Sequence, residues 1–382
     1  MRRLKEIGIY VHIPFCKKKC FYCDFCSFEC DENTHKDYVK ALINEIRAFR
    51  VDYGDDFIVK TLYFGGGTPS YIEAEYIQQI VNCLKEKFLF HDDIEATIEV
   101  NPGTTCYEKI KRYREIGFNR LSIGLQSTND NLLKIIGRIH NYEDFEETYN
   151  NARNAGFMNI NVDLMIGLPT QTIGDVKDSL EKIIKKNPEH ISIYSLILED
   201  ETKLKKMVDE GKVLLPDEDV ERNMYWLVKN ALEEHGYEHY EISNFSKSGY
   251  ESKHNTDCWK QKEYLAFGLA AHSYMNDVRY SNITNLNEYI NRNLNGTYNG
   301  RIIEEHQDIK AKMNEFVILG LRMIKGFSEQ SFKEKFHTDF YNEYKDKLEK
   351  LIKMGLLQRN DNVVSLTNKG IDLANIVWCE FI

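Results

Sequence analysis

The chain has 382 residues, enough for one large domain and one or two smaller ones, with 42% hydrophobic residues and a formal net charge of −10. The acidic balance argues against a broad basic surface for nucleic acid, and no stretch approaches the roughly 18 apolar residues of a membrane-spanning helix. Nine cysteines, five of them between residues 16 and 30, favour a metal site in a reducing compartment, so we expect a cytoplasmic protein.

The first predicted strand covers residues 7–13, and the interruption of its apolar run by His12 and Pro14 argues against a signal peptide. Three closely spaced cysteines follow on a predicted loop, at C-x3-C-x2-C spacing: Cys16, Cys20 and Cys23. Three thiolates this close can bind three irons of a cubane cluster, which usually takes four cysteine ligands, and leave the fourth iron open. Zinc is the alternative, since Cys26 or Cys30 could complete a set of four ligands.

From residue 7 to about residue 200, short β-rich runs alternate with amphipathic helical segments. This alternation predicts parallel βα units. The predicted strands are residues 7–13, 61–66, 96–100, 120–126, 159–167 and 190–198. Six units are too few for the closed barrel of eight strands.

Polar or glycine-rich motifs end nearly every one of these strands, which is where βα-barrel enzymes build their active sites. The run GGGTPS at 65–70 lets a backbone approach a ligand closely, but it lacks the lysine of a phosphate-binding loop. Later strands end near Glu99, Gln126 and Asp163. Apolar strand ends give no structural reason for three polar side chains on one face, so we predict that these residues bind a ligand.

The cysteine spacing, with the aromatic residue Tyr22 directly before the last of the three cysteines, resembles the signature of the radical S-adenosylmethionine (SAM) superfamily. The resemblance implies a 4Fe-4S cluster on Cys16, Cys20 and Cys23, whose open iron binds SAM and whose electron cleaves it. It also implies an α/β fold with an open, TIM-like partial (βα)6 barrel.

The same resemblance implies a set of SAM contacts. The glycine run would bind the amino group of SAM, and Glu99 would accept hydrogen bonds from its ribose or amine. Arg138 could be a surface cation, but the string GRIHN at 137–141 resembles a G-R-x-H segment of the family, which favours a role. The implied set is Tyr10, Tyr22, Gly66, Gly67, Thr68, Glu99, Gln126, Arg138 and Asp163.

After residue 200 the alternation stops, and three segments resemble the HemN/HemW group of oxygen-independent coproporphyrinogen III oxidases and heme chaperones. They are YEISNF at 240–245, His254-Asn255 with Trp259, and YLAFGLAAHSY at 264–274. The last segment could cover the open edge of the barrel. His254 is the candidate heme ligand, because such chaperones carry an HN-x-x-Y-W motif here. Cys258 stands at the tyrosine position, and cysteine can itself ligate heme iron.

These features divide the chain into three predicted regions. Residues 1–200 form the radical SAM barrel with its cluster, 201–300 an extension that completes it, and 301–382 a mostly helical, winged-helix-like domain. We interpret the last as a lid or partner surface rather than a DNA reader, given the acidic chain.

Two details bear on function within the group. Only fifteen residues precede Cys16, and Phe25 stands where the oxidases carry a fourth cysteine. The resemblance therefore implies a chaperone that binds heme and hands it to an apo-hemoprotein. The alternatives are an oxidase that decarboxylates porphyrinogen propionates and a radical SAM enzyme on another substrate. An electron donor such as flavodoxin or ferredoxin would reduce the cluster, and no residue is assigned a catalytic role.

Overall fold

The computed structural model describes residues 5–49, 57–297 and 301–382. In its first half, strands and helices alternate as predicted. The strands are β1 (Lys5–Ile13), β2 (Phe57–Gly66), β3 (Leu89–Val100), β4 (Arg120–Gln126), β5 (Ile160–Ile166) and β6 (His190–Ser195). The helices are α1 (Glu32–Ala48), α2 (Ala74–Lys87), α3 (Tyr107–Ile116), α4 (Asp130–Ile135), α5 (Tyr142–Asn154) and α6 (Ile173–Lys186).

Strands β1 to β6 pair in chain order, and every pair is parallel. Parallel strands covered on both faces carry near-continuous apolar runs, and all seven residues of β4 are buried. Helix ends are set by local sequence, as at α6, where Thr172 and Asp175 form a reciprocal capping box. The predicted parallel α/β architecture is confirmed.

The middle of the chain extends this sheet at both edges. Its elements are α7 (Lys203–Asp209), α8 (Glu218–Glu234), β7 (Glu238–Glu241), β8 (Asn244–Ser246), α9 (Lys253–Trp259), β9 (Tyr264–Phe267), β10 (His272–Met275), β11 (Val278–Asn282), α10 (Leu286–Leu294) and β12 (Arg301–His306). Within the described residues the sheet has twelve strands, ordered β12-β11-β10-β9-β1-β2-β3-β4-β5-β6-β8-β7. The segment predicted to cover the open edge supplies β9, which pairs in parallel with β1 and so lengthens the sheet there.

The C-terminal region has its own core. Its elements are α11 (Ile309–Gly320), β13 (Phe327–Ser328), α12 (Glu329–Phe336), α13 (Phe340–Lys353), β14 (Leu357–Asn360), β15 (Val363–Leu366), α14 (Asn368–Asp372) and α15 (Ala374–Cys379). Its buried apolar residues form a cluster separate from that of the barrel. Helices with one small hairpin, β14–β15, agree with the predicted mostly helical domain.

The predicted boundaries at residues 200 and 300 stay predictions. Strand β12 hydrogen-bonds to β11 across the second of them. In the described ranges, no helix combines the length and the apolar character needed to cross a bilayer.

Candidate functional site

A cavity of about 500 Å³ opens at the carboxyl ends of the barrel strands. This volume is typical of a small-molecule site, and the location is that of active sites in βα barrels. Eleven of the residues predicted from sequence line it: Cys16, Cys20, Tyr22, Cys23, Gly66, Gly67, Thr68, Glu99, Gln126, Arg138 and Asp163. Tyr10 and His254 are not among the lining residues.

The cysteine loop is held against the glycine loop by backbone hydrogen bonds. Gly67 N donates to Ile13 O at 2.9 Å, and Thr68 N donates to Phe15 O at 2.8 Å. Thr68 Oγ1 also lies 3.5 Å from Cys16 Sγ, to which it donates. The first cysteine of the motif is therefore fixed to the end of β2 by backbone and side-chain contacts.

The other side of the cysteine loop rests on the end of α4. Phe21 N donates to Ile136 O at 2.9 Å, and Tyr22 packs against a small apolar cluster that includes Met165. Arg138, just beyond α4, reaches back with Nη1 to Cys20 Sγ at 3.6 Å. The loop is thus supported from β2 on one side and from the segment after β4 on the other.

Arg138 is not a free surface charge, because its guanidinium links the cysteine loop to the ends of β3 and β4. Its Nη2 donates to Asn101 Oδ1 at 2.7 Å and to the backbone oxygen of Gly124. Burial lowers the pKa of Arg138, but the neighbouring thiol of Cys20 and other groups raise it overall. A guanidinium in this position favours negative charge on the cysteine sulfurs.

Two carboxyl groups, Glu99 and Asp163, also line the cavity. Burial, together with the neighbouring Asp163, raises the pKa of Glu99 to about 7, against the opposing effect of the hydrogen bond from Tyr63. Burial likewise raises the pKa of Asp163, whose Oδ1 accepts a 2.7 Å hydrogen bond from Asn161 Nδ2. A cationic ligand in the cavity would favour the ionised form of both groups.

Backbone geometry at the strand ends is unusual where the cavity begins. Gln126 has a φ of 73°, a left-handed value that non-glycine residues rarely adopt, and the pairing of β4 with β5 shifts register beside it. Gly66 has a φ of 112°, and a Cβ there would lie 2.6 Å from the His12 ring. Such outliers cluster at ligand sites, because the surrounding structure must hold them in place.

The residues present suit a cluster and a polar cationic ligand. Gln126 Oε1 and Arg138 Nε are buried without a hydrogen-bond partner among the described residues. Each is therefore available to form a hydrogen bond with a bound ligand. Burial raises the pKa of the Cys23 thiol to about 11, so metal binding must displace its proton. The described ranges hold no group of three or more histidine, cysteine or acidic side chains arranged around a single metal ion.

The two remaining predicted residues lie deeper in the barrel. Tyr10 OH is 3.1 Å from His12 Nδ1, and its ring stacks on that of Tyr63 with centroids 6.2 Å apart. His254, in α9, is only 7% exposed, and its Nδ1 is 2.8 Å from Thr61 Oγ1. The structure therefore places both in a layer beneath the cavity, and their roles stay predictions.

Four residues in or beside the cavity were given no role from the sequence. Asn101 binds Arg138 and Thr68, and Ser122 and Tyr194 line the wall. Tyr63 does not line the cavity but contacts Glu99. The two-residue period of a strand could have identified Ser122, because it lies on the same face of β4 as the predicted residue Gln126.

Comparison with known proteins identifies the family. Residues 10–183 match the model of the radical SAM superfamily, and residues 308–373 match the HemN C-terminal domain. The chain is 35% identical to the heme chaperone HemW of Lactococcus lactis, over 99% of this chain and 98% of that protein. It is also 35% identical to HemW of Bacillus subtilis, over 98% of each chain. The chain belongs to the HemW family of radical SAM proteins.

The fold agrees with this assignment. Coproporphyrinogen III oxidase (HemN) of Escherichia coli, a radical SAM enzyme, superposes with a TM-score of 0.85 at 24% identity, over 100% of this chain and 91% of that one. At this identity the likeness establishes a common fold.

Membership of the radical SAM superfamily gives the HemW-type protein its cofactors, a 4Fe-4S cluster and SAM. A bound and reduced cluster would be able to supply an electron for the cleavage of SAM. The assignment of Cys16, Cys20 and Cys23 as cluster ligands, and of the other lining residues as SAM contacts, stays a prediction that the cavity geometry supports.

Proposed function

We propose that this protein is a heme chaperone that binds heme and delivers it to an apo-hemoprotein. The observation that carries the proposal is near-full-length similarity to heme chaperones from two bacteria. Phe25 adds support, because it is exposed and lines the cavity, and the family resemblance puts it at the position of the fourth cysteine of the oxidases.

In this proposal the three cysteines of the motif hold the cluster, and the chain's own donors tune it. Thr68 Oγ1 and Arg138 Nη1 donate to the sulfurs of Cys16 and Cys20. Such outer donors orient metal ligands and offset their charge. Glu99 and Asp163 would face the cationic part of SAM, while Gln126 Oε1 and Arg138 Nε offer the unpaired polar atoms.

The proposed heme ligand is His254. Burial, and then the charge of Arg120, lower the pKa of His254 to about 4, so the ring is neutral, which is the ligating form. When Nδ1–H donates to Thr61 Oγ1, the lone pair resides on Nε2, available to iron. Because the side chain is 7% exposed, ligation requires the start of α9 to open toward heme.

The helix that carries His254 is anchored at both ends. At its start, the backbone N–H groups of Lys253 and His254 both donate to the Glu95 carboxylate at 3.1 Å. At its end, the Trp259 ring packs 4.3 Å from the Arg322 guanidinium, which also lies 5.5 Å from Trp378 of the C-terminal region. The C-terminal region therefore contributes, through Arg322, to holding α9 in the position that buries His254.

Heme titration of the purified protein is expected to produce a Soret band that is strongly weakened in His254→Ala. The matched control is His235→Ala, which removes an exposed histidine at the end of α8. Cys258→Ser is expected to keep the band, because burial raises the pKa of Cys258 to about 12 and disfavours the thiolate that would bind iron. An unchanged spectrum in His254→Ala would reject His254 as the ligand.

The oxidase alternative makes the opposite prediction about turnover. We expect the reconstituted protein, given coproporphyrinogen III, SAM and a reductant without oxygen, to yield no protoporphyrinogen above the level of a Cys16→Ala control. The reason is that the heme chaperones share 35% sequence identity with nearly the whole chain, whereas HemN, at 24% identity, shares the fold. Clear decarboxylation above that control would replace the chaperone proposal with the oxidase.

The partners and location follow from the same proposal. A low-potential donor such as flavodoxin or ferredoxin would reduce the cluster, and an apo-hemoprotein would receive the heme. None of the nine cysteines, all of which lie in the described residues, forms a disulfide, which supports a reducing compartment such as the cytoplasm.

A further inference from the structure

Tyr63 lies between the two sites proposed above. Its hydroxyl donates to Glu99 Oε1 at 2.9 Å, and its ring stacks on that of His254 with centroids 5.2 Å apart and an interplanar angle of 29°. One side chain therefore contacts both a carboxylate of the cavity and the proposed heme ligand.

The sequence of β2 explains this position. Thr61, Tyr63 and Gly65 alternate along the strand and face the barrel interior. Gly65 leaves room for the Glu99 carboxylate, because a Cβ there would lie 3.0 Å from Glu99 Oε1. Thr61, below Tyr63, binds His254 Nδ1. These three positions of β2 therefore hold the Glu99 carboxylate, the Tyr63 phenol and the His254 imidazole next to one another.

Glu99 depends on few donors inside the protein. Tyr63 OH is the side-chain donor to it among the described residues, and the backbone of Gly66 also favours its ionised form. Without the phenol, the carboxylate would lose this side-chain hydrogen bond in a buried setting. A hydrogen bond to a charged group is among the stronger contacts in proteins.

We propose that Tyr63 is a positioning residue for SAM binding, whose hydroxyl fixes the Glu99 carboxylate toward the cavity and whose ring is fixed by His254. This inference rests on the proposed role of Glu99 as a SAM contact. Tyr63 itself does not line the cavity, so it acts through Glu99.

The charge state of Glu99 supplies a second readout. The groups that face it are Tyr10 from β1, Tyr63 from β2, Arg120 from β4, Asp163 from β5 and Tyr194 from β6. Burial and Asp163 raise the pKa of Glu99 to about 7, while Tyr63, Gly66 and Arg120 lower it. Removing the phenol hydroxyl therefore raises this pKa further.

The sign of the pH effect follows from the charges. If ionised Glu99 binds SAM, affinity rises as the pH passes upward through the pKa of Glu99 and levels off above it. In Tyr63→Phe this rise moves to higher pH, because the carboxylate ionises later. The amine of SAM titrates nearby, at about 8, but it does so identically in every variant.

The experiment is an anaerobic calorimetric titration of cluster-loaded protein with SAM across the neutral pH range, with iron content measured for each sample. Tyr63→Phe keeps the aromatic stack and is expected to bind SAM about tenfold more weakly, with the pH midpoint raised. Tyr237→Phe is the matched control, because it also removes a buried tyrosine hydroxyl, which donates to Pro188 O at 2.7 Å, and Tyr237 does not line the cavity. Its SAM affinity should equal that of the wild type.

Glu99→Gln separates failure of this inference from failure of the proposed role of Glu99. Weak SAM binding without the Glu99 step in the pH profile supports that role, whereas wild-type binding in Glu99→Gln rejects it. If Glu99→Gln is weak but Tyr63→Phe binds like the wild type, the positioning inference alone is wrong. Weak binding by Tyr63→Phe with an unmoved midpoint also overturns it, since that pattern marks general structural damage.

Discussion

Replacing any one of Cys16, Cys20 and Cys23 by Ala is expected to abolish the visible absorbance of the iron–sulfur cluster and, with it, tight SAM binding. A cluster with three protein ligands already lacks one, so the loss of another leaves too few thiolates to retain it. Iron and sulfide content per chain, measured after anaerobic reconstitution, checks this result.

Cys26→Ala and Cys30→Ala are the controls for the three variants. Neither residue lines the cavity, and Cys26 Sγ is directed to the backbone oxygen of Thr284 at 3.8 Å. Both variants should retain the cluster. A full cluster in all three motif variants, or stoichiometric zinc in anaerobically prepared wild type, would overturn the assignment and return the zinc alternative.

Much of the cavity was predictable from sequence because parallel strands end at one edge. The carboxyl ends of β3, β4 and β5 lie side by side, so polar residues at those ends had to converge. Glu99, Gln126 and Asp163, which the strand pattern predicts on one face, all line the cavity. Arg138 needed the family resemblance, because its sequence position after a short helix is equally typical of a surface cation.

The deeper layer was not predictable, because it depends on contacts between distant parts of the chain. Thr61 and His254 are 193 residues apart, yet their side chains share a hydrogen bond. The position of α9 inside the barrel follows from tertiary packing and from the Glu95 carboxylate that binds its first N–H groups. The left-handed conformation of Gln126 likewise accompanies a register shift between β4 and β5, which no local sequence pattern predicts.

The strands added at the two edges of the sheet were also not predictable from sequence. The run of small and apolar residues from Tyr264 onward suggested a cover for the open barrel, but an exposed strand edge can be satisfied by pairing as well as by covering. Strand β9 pairs with β1, and β8 pairs with β6. The amino-acid composition did not indicate whether the segment would cover the strand edge or pair with it, and the structure shows that it pairs through backbone hydrogen bonds.

Gly67→Ala is expected to lower the free energy of unfolding by about 1–3 kcal/mol, the usual range for overpacking, and to deplete the cluster. A Cβ at Gly67 would lie 2.8 Å from Phe15 O, 2.9 Å from Phe15 N and 3.1 Å from Cys16 Sγ. Two of these atoms are backbone, so the strain cannot be relieved by rotating a side chain. The segment that carries the first cysteine of the motif must move instead.

Gly174→Ala is the matched control for this substitution. Gly174 lies in the first turn of α6, and a Cβ there would be 3.5 Å from Thr172 Oγ1, an ordinary contact. Alanine in a helix should hold or raise stability by up to about 1 kcal/mol. Urea unfolding and iron content measured on both variants separate a general effect of glycine replacement from close packing beneath Cys16. Wild-type iron content in Gly67→Ala would show that the glycine loop does not support the cluster, because a displaced Cys16 could not retain it.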